Sequence, residues 1–180
     1  MNALKLPFAF DPDKMLSEIS GFNQEDYSDI YNPSVTLKTL WNIHLIEPVG
    51  GPHTKVEFVP SAALKQRPYL LSVFETFKCR VETFRIHTLD PGANIKPHRD
   101  MGYSYEHGFT RIHIPVTTNN QVHLLVNGER INMNPGECWY CNFNEIHEVQ
   151  NNSALPRTHL ILDCVINDWF TAQFNKAMSN

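Results

Sequence analysis

From residue 80 to 166 apolar and polar positions alternate in short runs, and turn residues separate the runs. Alternation with a period of two marks strands that bury one face and wet the other. It predicts strands over 81–89, 111–116, 121–126, 130–133, 137–141, 147–150 and 158–165. Asn127-Gly128 lies between two of them and supplies the left-handed backbone that a tight hairpin needs; Pro91-Gly92 and Pro135-Gly136 mark two further reversals. Many short strands with no long helix between them predict a sandwich or jelly roll.

The flanks follow another period. Asp11-Pro12 reads as an N-cap followed by proline at the first helical position, so a helix over 12–20 stops at Gly21. Trp41, Ile43 and Leu45 share one parity, which predicts a strand over 37–47 ahead of a loop from Pro48 to Pro52. Ser61 can cap a helical turn through Gln66. Pro68 can open a helix over 69–77, with Leu70, Val73, Phe74 and Phe77 on its packed face. Over 167–178, Trp169, Phe170, Phe174 and Ala177 share a helical face that either closes one end of the barrel or meets a second copy in a homo-oligomer. The expected architecture is a single domain over 1–180, mainly β with flanking helices. Residues 1–79 form a mixed, partly helical part packed on a barrel, 80–166 the barrel itself, and 167–180 a C-terminal helix.

Composition narrows the choice of function. With 180 residues, 42% hydrophobic and 19% charged, the chain can bury one core and is short for two ordinary domains. A formal net charge of -4 offers no electrostatic reason to expect nucleic acid, which is bound through clustered Lys and Arg; a small molecule or peptide is the expected partner. No run of about 18 apolar residues is present to span a bilayer. The opening Met1 to Phe10, broken by Pro7 and followed by Asp11 and Asp13, does not read as a secretory leader, so a cytoplasmic place is expected. Four cysteines are then expected to stay thiols. Cys138 and Cys141 form a CxxC, but residues three apart on a strand point to opposite faces, which argues against a shared metal or redox role.

Chemistry concentrates between His98 and Arg157. His98-Arg99-Asp100 is followed 47 residues after Asp100 by His147, and ten residues later by Arg157. Two imidazoles and one carboxylate are the donor set that holds non-haem Fe(II) with positions left open. A solvated loop after Pro97, with Asp100 capping a turn, would show the same tripeptide. His147 follows the turn-rich Asn142-Phe143-Asn144 and Arg157 begins the next strand, so both belong near one rim of the barrel. Gly102 to Gly108 reads as a flexible stretch that can fold over a substrate as a lid, which makes Tyr103, Tyr105 and His107 candidates for substrate contact. Loop aromatics on a surface fit that stretch as well.

Arg85 to Leu89, Pro91-Gly92, His98-Arg99-Asp100, Arg111 to Pro115, Gly136-Glu137, His147 and Arg157 to Asp163 together resemble the aspartyl/asparaginyl β-hydroxylase family of Fe(II)/2-oxoglutarate-dependent dioxygenases. Bacterial proline cis-hydroxylases share much of the layout. The resemblance covers roughly residues 80 to 166 and implies a double-stranded β-helix, a jelly roll or cupin-like barrel. It makes His98, Asp100 and His147 the iron ligands and pairs Arg157 with the distal carboxylate of 2-oxoglutarate, a two-point contact suited to a guanidinium. Arg111 and His113 match positions that face the co-substrate; an ion pair and a satisfied interior histidine are the plainer readings of the two. His87 and His159 are expected to pack or hydrogen-bond outside the site. The implied reaction consumes 2-oxoglutarate and O2, releases succinate and CO2, and hydroxylates an amino-acid side chain of the Asp, Asn or Pro kind, free or in a peptide. Asp100 completes the triad, which argues against a halogenase, where a missing carboxylate makes room for halide. A non-oxidising metal-binding barrel, a cupin-like sensor or isomerase, is the alternative; such barrels usually carry His-x-His, which is not found here.

Overall fold

The computed structural model describes residues 1–23, 26, 28–29, 40–50 and 54–179. Thirteen strands (β1–β13) and four helices (α1–α4) make up these residues, and every strand pairing is antiparallel. The large sheet runs β1 (Ala3–Ala9), β11 (Glu137–Cys141), β8 (Phe109–Thr117), β13 (Arg157–Val165), β6 (Val81–Leu89), β3 (Leu40–His44), β2 (Ser28–Asp29). The small sheet runs β10 (Glu129–Ile131), β9 (Val122–Val126), β12 (His147–Asn151), β7 (Asn94–His98). Two antiparallel sheets whose consecutive strands alternate between them form the expected double-stranded β-helix.

The large sheet has two unlike faces, and strand parity sets them apart. Ile86, Ile112, Ile114, Leu160 and Leu162 point to one side and pack under α1 (Pro12–Ile19), α3 (Pro68–Thr76) and α4 (Asp168–Met178) in the main core. Residues of the other parity, Arg85, His87, Arg111, His113, Arg157 and His159, are polar and face the small sheet. A second, smaller core of Leu89, Ile95, Leu124, Val126, Phe143 and Val149 joins the sheets beyond them. Cys138 lies in the first core and Cys141 in the second, so the CxxC is split between faces as its spacing predicts; burial pushes both thiols up.

Local chemistry explains the helices. Asp11 accepts from the Asp13 and Lys14 amides at 3.1 Å each and so caps α1, with Pro12 in its first turn. Ser61 caps the short α2 (Ala62–Lys65). Arg67 offers α3 no cap, and the Glu18 carboxylate of α1 replaces it, accepting from the Tyr69 and Leu70 amides at 2.9 Å each. Asn167 caps α4. The apolar face of α4 is used inside the chain: Trp169 stacks on Phe8, and Phe174 meets Tyr105 and Tyr140. Of the two uses expected for this face, closing one end of the barrel or meeting a second copy, these contacts match the first.

Several expected boundaries move. Residues 37–39 and 51–53 of the expected strand and loop lie outside the described residues. The described part of that strand breaks after His44, and β4 (Ile46–Val49) turns away to pair with β5 (Glu57–Pro60) where a loop was expected. β1 and β7 were not expected at all. Pro7 and Pro48 read as breakers, yet among the described residues each sits on a strand with a free edge, where the missing N–H costs little. Residues 105–107 form a 3-10 turn within the stretch from Gly102 to Gly108. No helix among the described residues is long and apolar enough to cross a membrane.

Candidate active site

His98 ends β7, Asp100 follows in the next turn, and His147 begins β12; β12 and β7 pair so that His147 sits opposite His98. The donor atoms of the three residues all lie within 4.8 Å of one another, and His98 Nε2 is 3.8 Å from Asp100 Oδ1. Each imidazole turns Nδ1 to a backbone carbonyl, His98 to Lys96 at 2.8 Å and His147 to Glu145 at 3.0 Å. That contact places the proton on Nδ1 and leaves Nε2 free as a ligand. Burial holds the His147 imidazole down at about 4, so it stays neutral. These features fit a metal ion of the non-haem iron type.

Asp100 is steered by a chain of charges behind it. Its Oδ2 accepts from Arg111 Nη1, while Arg111 Nε and Nη2 donate to the two oxygens of Asp163 at 2.7 and 3.1 Å. Burial opposes the Arg111 charge, yet Asp163 and Asp100 hold its pKa above the ordinary value. Burial would likewise raise the Asp163 carboxyl, but Arg111 and Arg85 keep it low. Asp163 also accepts from Thr83 Oγ1 at 2.8 Å and Arg85 Nη1 at 3.1 Å. Tyr103 lies over the Arg111 guanidinium, 4.4 Å from ring centroid to Cζ.

Arg157 is 1% exposed, and no carboxylate pairs with it among the described residues. Its Nη1 donates to His87 Nδ1 at 3.1 Å and its Nη2 to His159 Nδ1 at 2.8 Å, with His113 Nδ1 at 3.4 Å. Three imidazoles thus solvate the cation without neutralising it. Burial, with Arg157 next, lowers His87, His113 and His159 well below their ordinary value; burial also pulls Arg157 down to about 9, still charged at neutral pH.

Arg85, His87, His98, Asp100, Arg111, His113, His147 and Arg157 wall one cleft of about 260 Å³, with Asn42 and His44 of β3 on one side and Ile95, Phe143, Val149 and Ile161 as its apolar lining. Phe143 links the sheets, its ring 4.9 Å from His113 and 4.5 Å from His147. Of the residues singled out in the sequence, the structure brings His98, Asp100, His147, Arg111, His113 and Arg157 to this cleft, and Tyr103 to its edge. Tyr105 and His107 are placed elsewhere. Tyr105 stacks on Phe174 and donates to Thr171, and His107 Nδ1 meets Ser104. The 3-10 turn points them at α4 and at their own loop. Sequence reasoning gave Arg85 and Asp163 no role and left His87, which lines the cleft, outside the site; His159 is not in the cleft lining and hydrogen-bonds, as expected, here with Arg157. The arginine and the histidines carry a signal in the sequence: Arg85-x-His87, Arg111-x-His113 and Arg157-x-His159 are polar pairs of one parity in strands otherwise apolar.

Fold and donor set define a class: a double-stranded β-helix whose cleft gathers two histidines and one carboxylate, a set that could hold a metal ion. The chain belongs to the aspartyl/asparaginyl β-hydroxylase family, whose model matches residues 17–166. An L-proline cis-4-hydroxylase of Rhizobium meliloti (strain 1021) is 32% identical over 101 residues, 55% of this chain and 36% of that protein, so the match spans about a third of the relative's length. Among solved structures, an oxidoreductase of the 2OG-Fe(II) oxygenase family from Burkholderia pseudomallei superposes with a TM-score of 0.54 at 11% identity, covering 85% of this chain and 77% of that one. The non-haem α-ketoglutarate-dependent epimerase SnoN from nogalamycin biosynthesis gives 0.56 at 9%, covering 91% and 76%. These two share the fold.

Proposed function

We propose that the chain is an Fe(II)- and 2-oxoglutarate-dependent dioxygenase that hydroxylates an amino-acid side chain of the Asp, Asn or Pro kind, free or in a peptide, with succinate and CO2 as co-products. The observation that carries the reading is Arg157, a buried guanidinium with no carboxylate partner among the described residues, on the wall of the cleft that also gathers His98, Asp100 and His147. A cation desolvated to this degree costs free energy until an anion meets it. A dicarboxylate with a 2-oxo end suits both needs, its far carboxylate taken by Arg157 and its oxo-acid end turned to the metal donors. The L-proline hydroxylase relative supports an amino-acid substrate.

Bound Fe(II) would supply the activation of O2 and the oxidising power for attack on a C–H bond. The protein supplies the rest. His98 and His147 present Nε2 because their Nδ1 protons are committed to carbonyls. Arg111 takes one oxygen of Asp100 and leaves the other facing the imidazoles. Ile95, Phe143, Val149 and Ile161 keep water from the reacting carbon. His87, His113 and His159, neutral in their burial, hold the Arg157 fork in position for a two-point contact.

Succinate release, screened over free amino acids and short peptides with Fe(II), 2-oxoglutarate and O2, tests the reading. The expected result is substrate-stimulated succinate that disappears in Asp100→Ala. Turnover that survives this substitution contradicts the reading. Anaerobic Fe(II) and 2-oxoglutarate should also give a weak visible absorption band, which a barrel that only binds metal would not give.

A further inference from the structure

The ladder of the small sheet places two of the three donors and stops short of the third. β12 and β7 pair as far as His147 opposite His98, and there the ladder ends. Asp100 lies two residues beyond it, on a turn over 99–103 that faces a second turn, 142–146, ahead of His147. These turns are tied to each other by hydrogen bonds that belong to no strand. The Asp100 amide donates to Phe143 O at 2.9 Å, and the Asn144 amide to Tyr103 O at 3.1 Å. The Gly102 amide donates to Asn144 Oδ1 at 3.0 Å. Arg99 Nη1 donates to Asn144 O at 2.9 Å and to Glu145 Oε2 at 3.2 Å. Three of these contacts end on Asn144, through its amide N–H, its carbonyl and its side-chain oxygen.

The contacts divide the labour of holding Asp100. Arg111 takes one oxygen of the carboxylate from behind, but a contact to the end of a side chain does not fix the backbone from which it hangs. That backbone is fixed by the clasp between the turns. Gly102 N–H can only donate, so the oxygen of the Asn144 amide, not its nitrogen, must face it. Arg99 is 44% exposed, which makes its ion pair with Glu145 a weak contribution. Asn144, half-buried, is the stronger part of the clasp. It offers the ion no atom, since it stands outside the three-donor cluster and outside the cleft lining.

We propose that Asn144 is a positioning residue for the metal centre: by clasping the turn of Asp100 to the turn ahead of His147, it sets the carboxylate beside the two imidazoles. Arg99 reinforces the clasp. Without it His98 and His147 keep their places, held by the ladder and by the Lys96 and Glu145 carbonyls, while Asp100 does not. The centre then loses a ligand and the protein keeps its fold. This inference rests on the metal reading of His98, Asp100 and His147, and adds to it the residue that assembles the third donor with the other two.

The test is titration of the metal-free protein with Co(II), whose visible bands report the ligands around it. Asn144→Ala should bind Co(II) about 10- to 100-fold more weakly than wild type, the scale of lost support for a ligand, and its bands should match those of Asp100→Ala. Asn144→Asp keeps an accepting oxygen for Gly102 N–H and should bind close to wild type. The double variant Asp100→Ala/Asn144→Ala separates positioning from plain loss of structure: a residue that acts through Asp100 adds no further loss once Asp100 is gone. Three results overturn the proposal: wild-type affinity and bands in Asn144→Ala, no rescue by Asn144→Asp, or a loss in the Asp100→Ala background as large as in the wild-type one. If Asn144→Ala does not fold, Arg99→Gln takes its place in the same cycle, with a smaller loss that must likewise vanish without Asp100. The wild-type titration separates the failures. If wild type binds Co(II) and Asn144→Ala is unchanged, only the Asn144 assignment falls, whereas a wild-type protein that binds no metal loses the hydroxylase reading too.

Discussion

Asp163 offers no atom to the metal donors, yet its carboxylate fixes the arginine that turns Asp100 toward the imidazoles. Asp163→Asn keeps the shape and removes the charge that two guanidiniums share. Metal affinity should fall about 10- to 100-fold, as for lost support of a ligand, and stability by about 3 kcal/mol, as for a broken buried pair. Fe(II) titration and thermal melting check both, and an unchanged variant would refute the steering role. Arg157→Lys keeps a charge but loses the planar fork, so 2-oxoglutarate should bind roughly 10- to 100-fold more weakly. At this scale the sequence was informative where chemistry is written in rare residue types at known spacing: His98, Asp100, His147 and Arg157. It did not show Asp163 as the partner of Arg85 and Arg111, because an acid and a base on separate strands become partners only through register, and register is a property of the folded sheet.

Among the elements, β1 is held by one tight passage. Gly136 has φ +82°, and a Cβ there would stand 2.2 Å from the Phe10 carbonyl carbon's oxygen, at the point where the Phe10 amide donates back to Gly136 O at 2.8 Å. Gly136→Ala should destabilise the protein by at least about 2 kcal/mol, from backbone strain and the displacement of β1 together. Gly92 has φ +75° but open space around it, so Gly92→Ala should cost about 1 kcal/mol. Equal melting temperatures for the two variants would contradict this ranking. Helices with caps and strands with clean alternation were readable: Asp11, Ser61 and Asn167 each start a helix where expected. Strands β1, β4 and β7 were not, because each contains a proline and proline stops a strand only when both edges must pair.

For the whole molecule, turn-punctuated alternation was enough to give the barrel. The sidedness of its large sheet was not legible, since parity tells which residues share a face and not which face meets the helices. That sidedness buries His87, His113 and His159 around one cation, and it gives stability a pH dependence. Their folded pKa values lie below the unfolded value near 6.5, so folding excludes protons that the unfolded chain binds. Stability should be full above about pH 7 and decline as pH falls through 6.5, by about 1.4 kcal/mol per pH unit for each imidazole kept neutral. Denaturant melts from pH 7.5 to 5.5 check the sign, and a flat or opposite trend would contradict the buried histidine arrangement.

The most direct test of the central claim is anaerobic titration of 2-oxoglutarate into the Fe(II)-loaded protein, followed by visible absorption. The expected result is a weak band that saturates at one equivalent in the wild-type protein, needs much more 2-oxoglutarate in Arg157→Lys, and is absent in Asp100→Ala. A wild-type protein without the band, or an Arg157→Lys protein that titrates like wild type, would contradict it.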